Sequence, residues 1–184
     1  TFKELTGIEI DSSEIADVSY GRDWLGVNYY AGQAFRGGGK GLEIFPGTKY
    51  LEGIPWGIER TDIGWSWTPD GLKKLLVRLN NLFPDIPIYI TENGACYNNV
   101  PDENGKIDDI KRQEYMALNI SSALESLAEG VNLKGYYAWS LLDNFEWAWG
   151  FSMRFGIVYV DFSTMQRIVK ESGYQYRELI SGNS

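Results

Sequence analysis

Along the chain the spacing of hydrophobic positions alternates between strand-like runs and helix-like periods. Asp23-Trp24-Leu25-Gly26-Val27-Asn28-Tyr29-Tyr30 is a short apolar run bounded by polar and glycine residues, the pattern of a buried strand. A loop of about 35 residues is expected next, holding the glycine-rich stretch Gly37-Gly38-Gly39-Lys40-Gly41. Thr68-Pro69-Asp70 then opens a helix: threonine can cap, proline suits the first helical position, and aspartate complements the positive end of the dipole. Leu72, Leu75, Leu76, Leu79, Leu82 and Phe83 recur every three or four residues and give one apolar face, which Pro84 ends.

Ile86-Pro87-Ile88-Tyr89-Ile90-Thr91 is nearly continuous in β-branched and aromatic residues, as expected of a strand buried on both faces in a parallel sheet. From about Asp108 to Glu129 a second amphipathic helix carries Ile110, Met116, Ile120, Ala123, Leu124 and Leu127, with Gly130 as its C-terminal cap. Val131 to Leu142 reads as a third strand, Phe155 to Phe162 as extended chain, and Ser172 to Ser181 as a last helix. With no repeat or internal linker, residues 1–184 read as one domain. Strands alternating with helices imply right-handed crossovers and a parallel sheet, either open and doubly wound or closed as a (β/α)8 barrel. In both, ligands bind beyond the carboxyl ends of the strands.

Composition narrows the chemistry. Hydrophobic residues make up 43% and charged residues 23%, and no run approaches the roughly 18 apolar residues of a membrane span, so a soluble globular chain is expected. A net charge of -8 with no basic stripe argues against nucleic acid and favours a neutral partner. The single cysteine, Cys96, rules out an internal disulfide, reads as a small packing residue and points to a reducing, cytoplasmic compartment. Thr-Phe-Lys at the start lacks the order of a signal peptide. Histidine is absent, so acid-base work falls to other side chains, and no His or Cys spacing suits a metal; no cofactor is expected.

Polar groups gather just past the strand ends in three places: Asn28 with Tyr30, Thr91-Glu92-Asn93-Gly94, and Asp143-Asn144-Phe145-Glu146-Trp147. Parallel strands bring these to one rim. Glu92 follows directly on an apolar run; spacing alone fits a functional carboxylate and a solvated loop carboxylate equally. Trp139, Trp147 and Trp149 interleave with Asp143, Asn144 and Glu146, and flat apolar faces beside bidentate acceptors suit a sugar ring. A hydroxyl such as that of Tyr30 beside a carboxylate would keep it ionised and oriented.

Four stretches resemble family 1 of the glycoside hydrolases: Gly-Val-Asn-Tyr-Tyr at 26–30, Tyr-Ile-Thr-Glu-Asn-Gly at 89–94, Trp-Ser-Leu-Leu-Asp-Asn-Phe-Glu-Trp at 139–147 and Arg-Phe-Gly-Ile-Val-Tyr-Val-Asp at 154–161. The resemblance implies about the last three β/α units of a (β/α)8 barrel of the β-glucosidase type, acting on β-glucosides or oligosaccharides with retention. It implies Glu92 as nucleophile, with Asn28 and Tyr30 holding the nucleophile or the sugar near it. Trp139 is the implied platform under the sugar ring, Glu146 and Trp147 bind its distal hydroxyls, Phe155 is an apolar wall, and Trp65 is the stacking residue of the aglycone site. An acid at Glu146 would repel a phosphate, so an unphosphorylated sugar is implied. Trp149 departs from the polar or acidic residue of many bacterial members.

The family's acid/base glutamate lies in a Thr-x-Asn-Glu-Pro-like motif, and Asn-Glu-Pro occurs nowhere in this sequence. The resemblance therefore implies a chain inactive alone, completed by an N-terminal barrel fragment or by self-association. The alternative is a non-catalytic fragment that oligomerises or weakly binds sugars. Neither nucleic acid nor membrane is an expected partner.

Overall fold

The computed structural model describes residues 21–37, 48–51 and 59–182, together with Gly7. Its strands are β1 (Leu25–Asn28), β2 (Ala34–Gly37), β3 (Thr48–Leu51), β4 (Ile88–Asn93), β5 (Leu133–Ala138), β6 (Val158–Val160) and β7 (Arg167–Val169). Its helices are α1 (Pro69–Leu82), α2 (Ile110–Ala128) and α3 (Glu171–Ser181). β1, β4 and β5 form a parallel sheet in that order, each followed in the chain by one helix. The three strand-helix units read from the sequence are therefore present. Among the described residues the outer edges of β1 and β5 have no neighbouring strand.

One face of the sheet is the core. Val27, Ile88 and Ile90 pack with Leu72 and Leu76 of α1 and Ala123 of α2, and partly buried Leu75, Leu79 and Tyr136 close around them. Burial of each such side chain contributes roughly 1.5 to 3 kcal/mol. The opposite face is open: Trp24, Tyr89, Thr91 and Tyr137 line a recess of about 500 Å³. This corrects the expectation of a strand covered on both sides, since Ile88 and Ile90 are fully buried while Tyr89 and Thr91 are only half-buried. Gly26 lies on this open face, where a Cβ would meet Trp24 at 2.9 Å and Thr91 at 3.2 Å.

Three further expectations change. The long loop after β1 contains an antiparallel hairpin, β2 with β3, pairing Ala34 with Leu51 and Gly37 with Thr48; Gly37 closes β2, and the glycine-rich stretch beyond it lies outside the described residues. The extended segment near Phe155–Phe162 pairs with β7 as a second hairpin. On α2, Leu124 and Leu127 are 60% and 43% exposed, and the stripe that packs is Arg112, Tyr115, Met116, Asn119, Ser122, Ala123 and Ser126. That stripe has helical spacing too. Within the helix Asn119 Nδ2 donates to the Tyr115 carbonyl (2.9 Å) and Ser126 Oγ to that of Ala123 (2.6 Å), which satisfies these two donors, while Asn119 Oδ1 has no hydrogen-bond partner.

Pro69 opens α1 as expected, but Thr68 does not cap it through its side chain. Thr68 Oγ1 instead accepts from the Gly32 amide at 2.6 Å and lies 2.9 Å from Tyr29 Oη, fixing the chain leaving β1 against the helix start. Gly130 ends α2 with φ +85°, and its amide donates to the Leu127 carbonyl. Among the described residues no helix is long and apolar enough to cross a membrane.

Candidate active site

The site is built around an irregularity in β4. Val27 pairs with Ile90, but the next residue, Asn28, pairs with Glu92; on the other side Ile90 pairs with Tyr136 and Asn93 with Ala138. One extra residue thus sits in β4 between Ile90 and Glu92. Such a bulge reverses the alternation of side chains beyond it. Ile88 and Ile90 face the helices, and Glu92 would face them too in a regular strand. With the bulge, Glu92 turns to the open face and the following Asn93 enters the core, where it is fully buried.

On the open side Tyr30 Oη donates to Glu92 Oε2. Burial first, then the bond to Glu92 and its negative charge, hold the Tyr30 phenol well above the usual tyrosine range, so Tyr30 is a committed donor. The Tyr30 ring lies 5.2 Å from Trp65 and 6.0 Å from Phe155, and those two are 5.7 Å apart, a three-ring cluster beside the carboxylate. Phe155 is buried behind it. Asn28 Oδ1 accepts from Thr91 Oγ1 at 2.7 Å, on the same rim.

The third polar cluster reaches this rim through Glu146. Its carboxyl is shifted upward by burial and then by the charge of Glu92, and its own charge acts on Tyr30. Trp139 follows β5, its amide donating to the Asn93 carbonyl at 2.9 Å. Gly94 permits this approach, for a Cβ there would overlap the Trp139 carbonyl oxygen. Trp147 starts a single turn of 3-10 helix with φ +39°, and the residue is 81% exposed. Glu92, Tyr30, Trp65, Phe155 and Glu146 are thus brought together, Asn28 and Trp139 flank them, and Trp147 stands out into solvent.

Asp143 and Asn144 do not join the rim, contrary to their reading as sugar acceptors. Asp143 is buried and takes Lys170 Nζ (2.9 Å), Arg154 Nη1 (2.7 Å) and the Gly156 amide (2.9 Å). Burial and then Arg112 lower the Lys170 ammonium to about 8, against the pull of Asp143. Asn144 donates to Ser140 Oγ and the Leu142 carbonyl. These bonds anchor the base of the loop that carries Glu146. Arg112 anchors its neighbour: paired with Asp109, it also donates to the carbonyls of Ala95 (3.2 Å), Tyr97 (2.7 Å) and Arg154 (3.0 Å). The segment after Glu92 is so tied to the segment before Phe155. Cys96 lies within it, fully buried, its thiol pushed up to about 11 mainly by burial.

Sequence reasoning put Asn93 on the rim, where the structure buries it in the core, and missed Tyr115, Tyr136 and Arg112, whose only signal was a polar or hydroxylated side chain inside an otherwise apolar element. Among the described residues, no group of three or more His, Cys, Asp or Glu side chains could hold a metal ion.

The rim of this parallel β/α sheet thus holds a carboxylate gripped by a tyrosine, beside one indole, one phenyl ring and a second carboxyl. Residues 3–184 match the family described as Glycosyl hydrolase family 1. The chain is 40% identical over 174 residues to beta-glucosidase A of Thermotoga maritima, covering 94% of this chain and 37% of the relative. It is 41% identical over 180 residues to beta-glucosidase A of Acetivibrio thermocellus, covering 96% and 39%. The solved beta-glucosidase from Thermotoga maritima in complex with glucoimidazole superposes with a TM-score of 0.85 at 38% identity, over 94% of this chain and 37% of that one. The chain belongs to glycosyl hydrolase family 1. Its fold is a partial (β/α)8 barrel, about the last three β/α units, spanning under two-fifths of the length of these relatives.

Proposed function

We propose that this chain supplies the nucleophile side of a retaining β-glycosidase acting on unphosphorylated β-glucosides or oligosaccharides. The observation that carries the reading is the Tyr30 hydroxyl donated to the Glu92 carboxylate at the rim. Glu92 attacks the anomeric carbon and forms a glycosyl ester while the leaving oxygen takes a proton from a second carboxyl group; water then attacks the ester, giving up its proton to that same group, and the configuration is retained. Tyr30 keeps Glu92 aimed until attack. Glu146 and Trp147 hydrogen-bond distal hydroxyls, Trp139 lies under the sugar ring, and Trp65 receives the aglycone.

Asn-Glu-Pro does not occur here, so the acid/base glutamate comes from the part of the relatives that this chain does not match. That part would also cover the open sheet face and pair the edges of β1 and β5. The unpaired edges favour a second reading as well, a chain that self-associates and binds sugars without turnover. One experiment separates the two. This chain is joined to the N-terminal portion of Thermotoga maritima beta-glucosidase A that lies outside the match, and the first sugar released from an aryl β-glucoside is followed by proton NMR. The β-anomer of glucose is expected to appear first. First release of the α-anomer contradicts retention, and no release supports the non-catalytic reading.

A further inference from the structure

Beyond Asn28 one more main-chain bond joins the chain to β4, and side chains supply the other restraints on Tyr29 and Tyr30. The Tyr29 amide donates to the Glu92 carbonyl at 2.9 Å. The Tyr29 carbonyl accepts from Asn93 Nδ2 at 2.6 Å. The Tyr30 carbonyl accepts from Tyr115 Oη at 2.6 Å. Tyr115 reaches there from the second turn of α2, in the helix layer, with 1% of its surface exposed and its ring set edge-on to Trp67 at 5.9 Å. It belongs to none of the groups that meet at the rim.

We propose that Tyr115 is a positioning residue, which fixes the main chain of Tyr30 and through it the phenol that holds Glu92. The inference rests on the glycosidase reading only for its effect on rate. The direction of every bond in the network is forced by chemistry. A carbonyl oxygen only accepts, so the Asn93 amide must turn its nitrogen to Tyr29 and its oxygen to Tyr136 Oη, 2.6 Å away. The same nitrogen lies 3.2 Å from Tyr115 Oη, which therefore accepts from Asn93 and spends its own proton on Tyr30. Each hydroxyl has one proton and one use for it, so the network has a single arrangement. Tyr136, Asn93 and Tyr115, on β5, β4 and α2, converge on the two residues that follow β1, behind the bond from Tyr30 to Glu92. Phenylalanine at 115 would keep the buried ring and remove the donor to Tyr30 together with the longer contact from Asn93.

The test uses the enzyme assembled as above, with Y115F, Y30F, the double variant and E92Q. The first readout needs no turnover: the hydrogen-bonded hydroxyl proton of Tyr30 is assigned by its loss in Y30F. In Y115F this signal is expected to move upfield and to exchange faster with water. The second readout is kinetic. In Y115F kcat is expected to fall roughly tenfold with KM changed by less than about twofold, the mark of misplacement rather than lost binding. In the Y30F background Y115F should add nothing. An unchanged Tyr30 signal in Y115F, or Y115F and Y30F effects that multiply, would overturn the proposal even if Y115F melts earlier. Should Y115F not fold, Y136F takes its place with the same expectations and the same overturning outcomes. Full activity in E92Q would sink the glycosidase reading instead, leaving the hydroxyl signal to decide the positioning role.

Discussion

Asn28 stands opposite Glu92 in the sheet although its predecessor Val27 stands opposite Ile90. That one-residue step decides which side of β4 carries the carboxylate. A regular strand would send Glu92 into the helix layer among Leu72, Leu76 and Ala123, where an unpaired charge costs several kcal/mol. Deleting Thr91 should restore the regular alternation and turn Glu92 inward. Urea unfolding of the deletion variant is expected to show a loss of several kcal/mol, whereas a merely local loss of the Thr91–Asn28 bond would cost about 1 kcal/mol.

Asp143 is the single carboxylate shared by Lys170 and Arg154, and both it and Lys170 have no exposed side-chain surface. Asp143→Ala would leave a buried ammonium without its counter-charge. The expected cost is about 3 to 5 kcal/mol in urea unfolding. Lys170→Met in the Asp143→Ala background should recover part of that loss, because the remaining cavity is then apolar.

The packed stripe of α2 can be tested against the stripe read from apolar spacing. Leu76→Ala empties a fully buried position of α1 and is expected to cost about 2 to 5 kcal/mol. Leu124→Ala removes an exposed side chain and should change stability by less than about 0.5 kcal/mol. Equal losses at the two positions in thermal unfolding would restore the original reading of α2.

Asp161 gives a pH signature. The Ser163 hydroxyl first, then the amides of Ser163 and Thr164, hold its carboxyl down at about 2, below the ordinary 3.8. Between these values the unfolded chain binds more protons than the folded one, so stability rises with pH there. The contribution of Asp161 is complete above the ordinary value and is lost as pH falls through about 2. Asp161→Asn should destabilise the chain near neutral pH, and its difference from wild type should shrink as the pH falls from about 4 and vanish only below about 2 in a series of urea titrations.

The strand-helix order was legible because three parallel strands and three helices carry their own hydrophobic periods, and Pro69 and Gly130 mark element ends. β7 was not, because three residues alternating exposed and half-buried have no period to read. Glu92 was singled out by its place after an apolar run, yet the face it occupies depends on pairing with two other strands, which no local pattern records. Asp143 was misread as a ligand acceptor for a related reason: its partners lie 11 and 27 positions away. Tyr115 was missed because it sits among the polar residues of α2, and the leucines drew attention to the wrong side of the helix.

The central claim is that Glu92 attacks the sugar, and the most direct measurement is kcat for an aryl β-glucoside in the assembled enzyme with Glu92→Gln. The exchange keeps the size of the side chain and removes its charge. Turnover is expected to fall by at least about a thousandfold, as when a covalent nucleophile is lost. A variant retaining more than a tenth of the parental kcat would contradict the account.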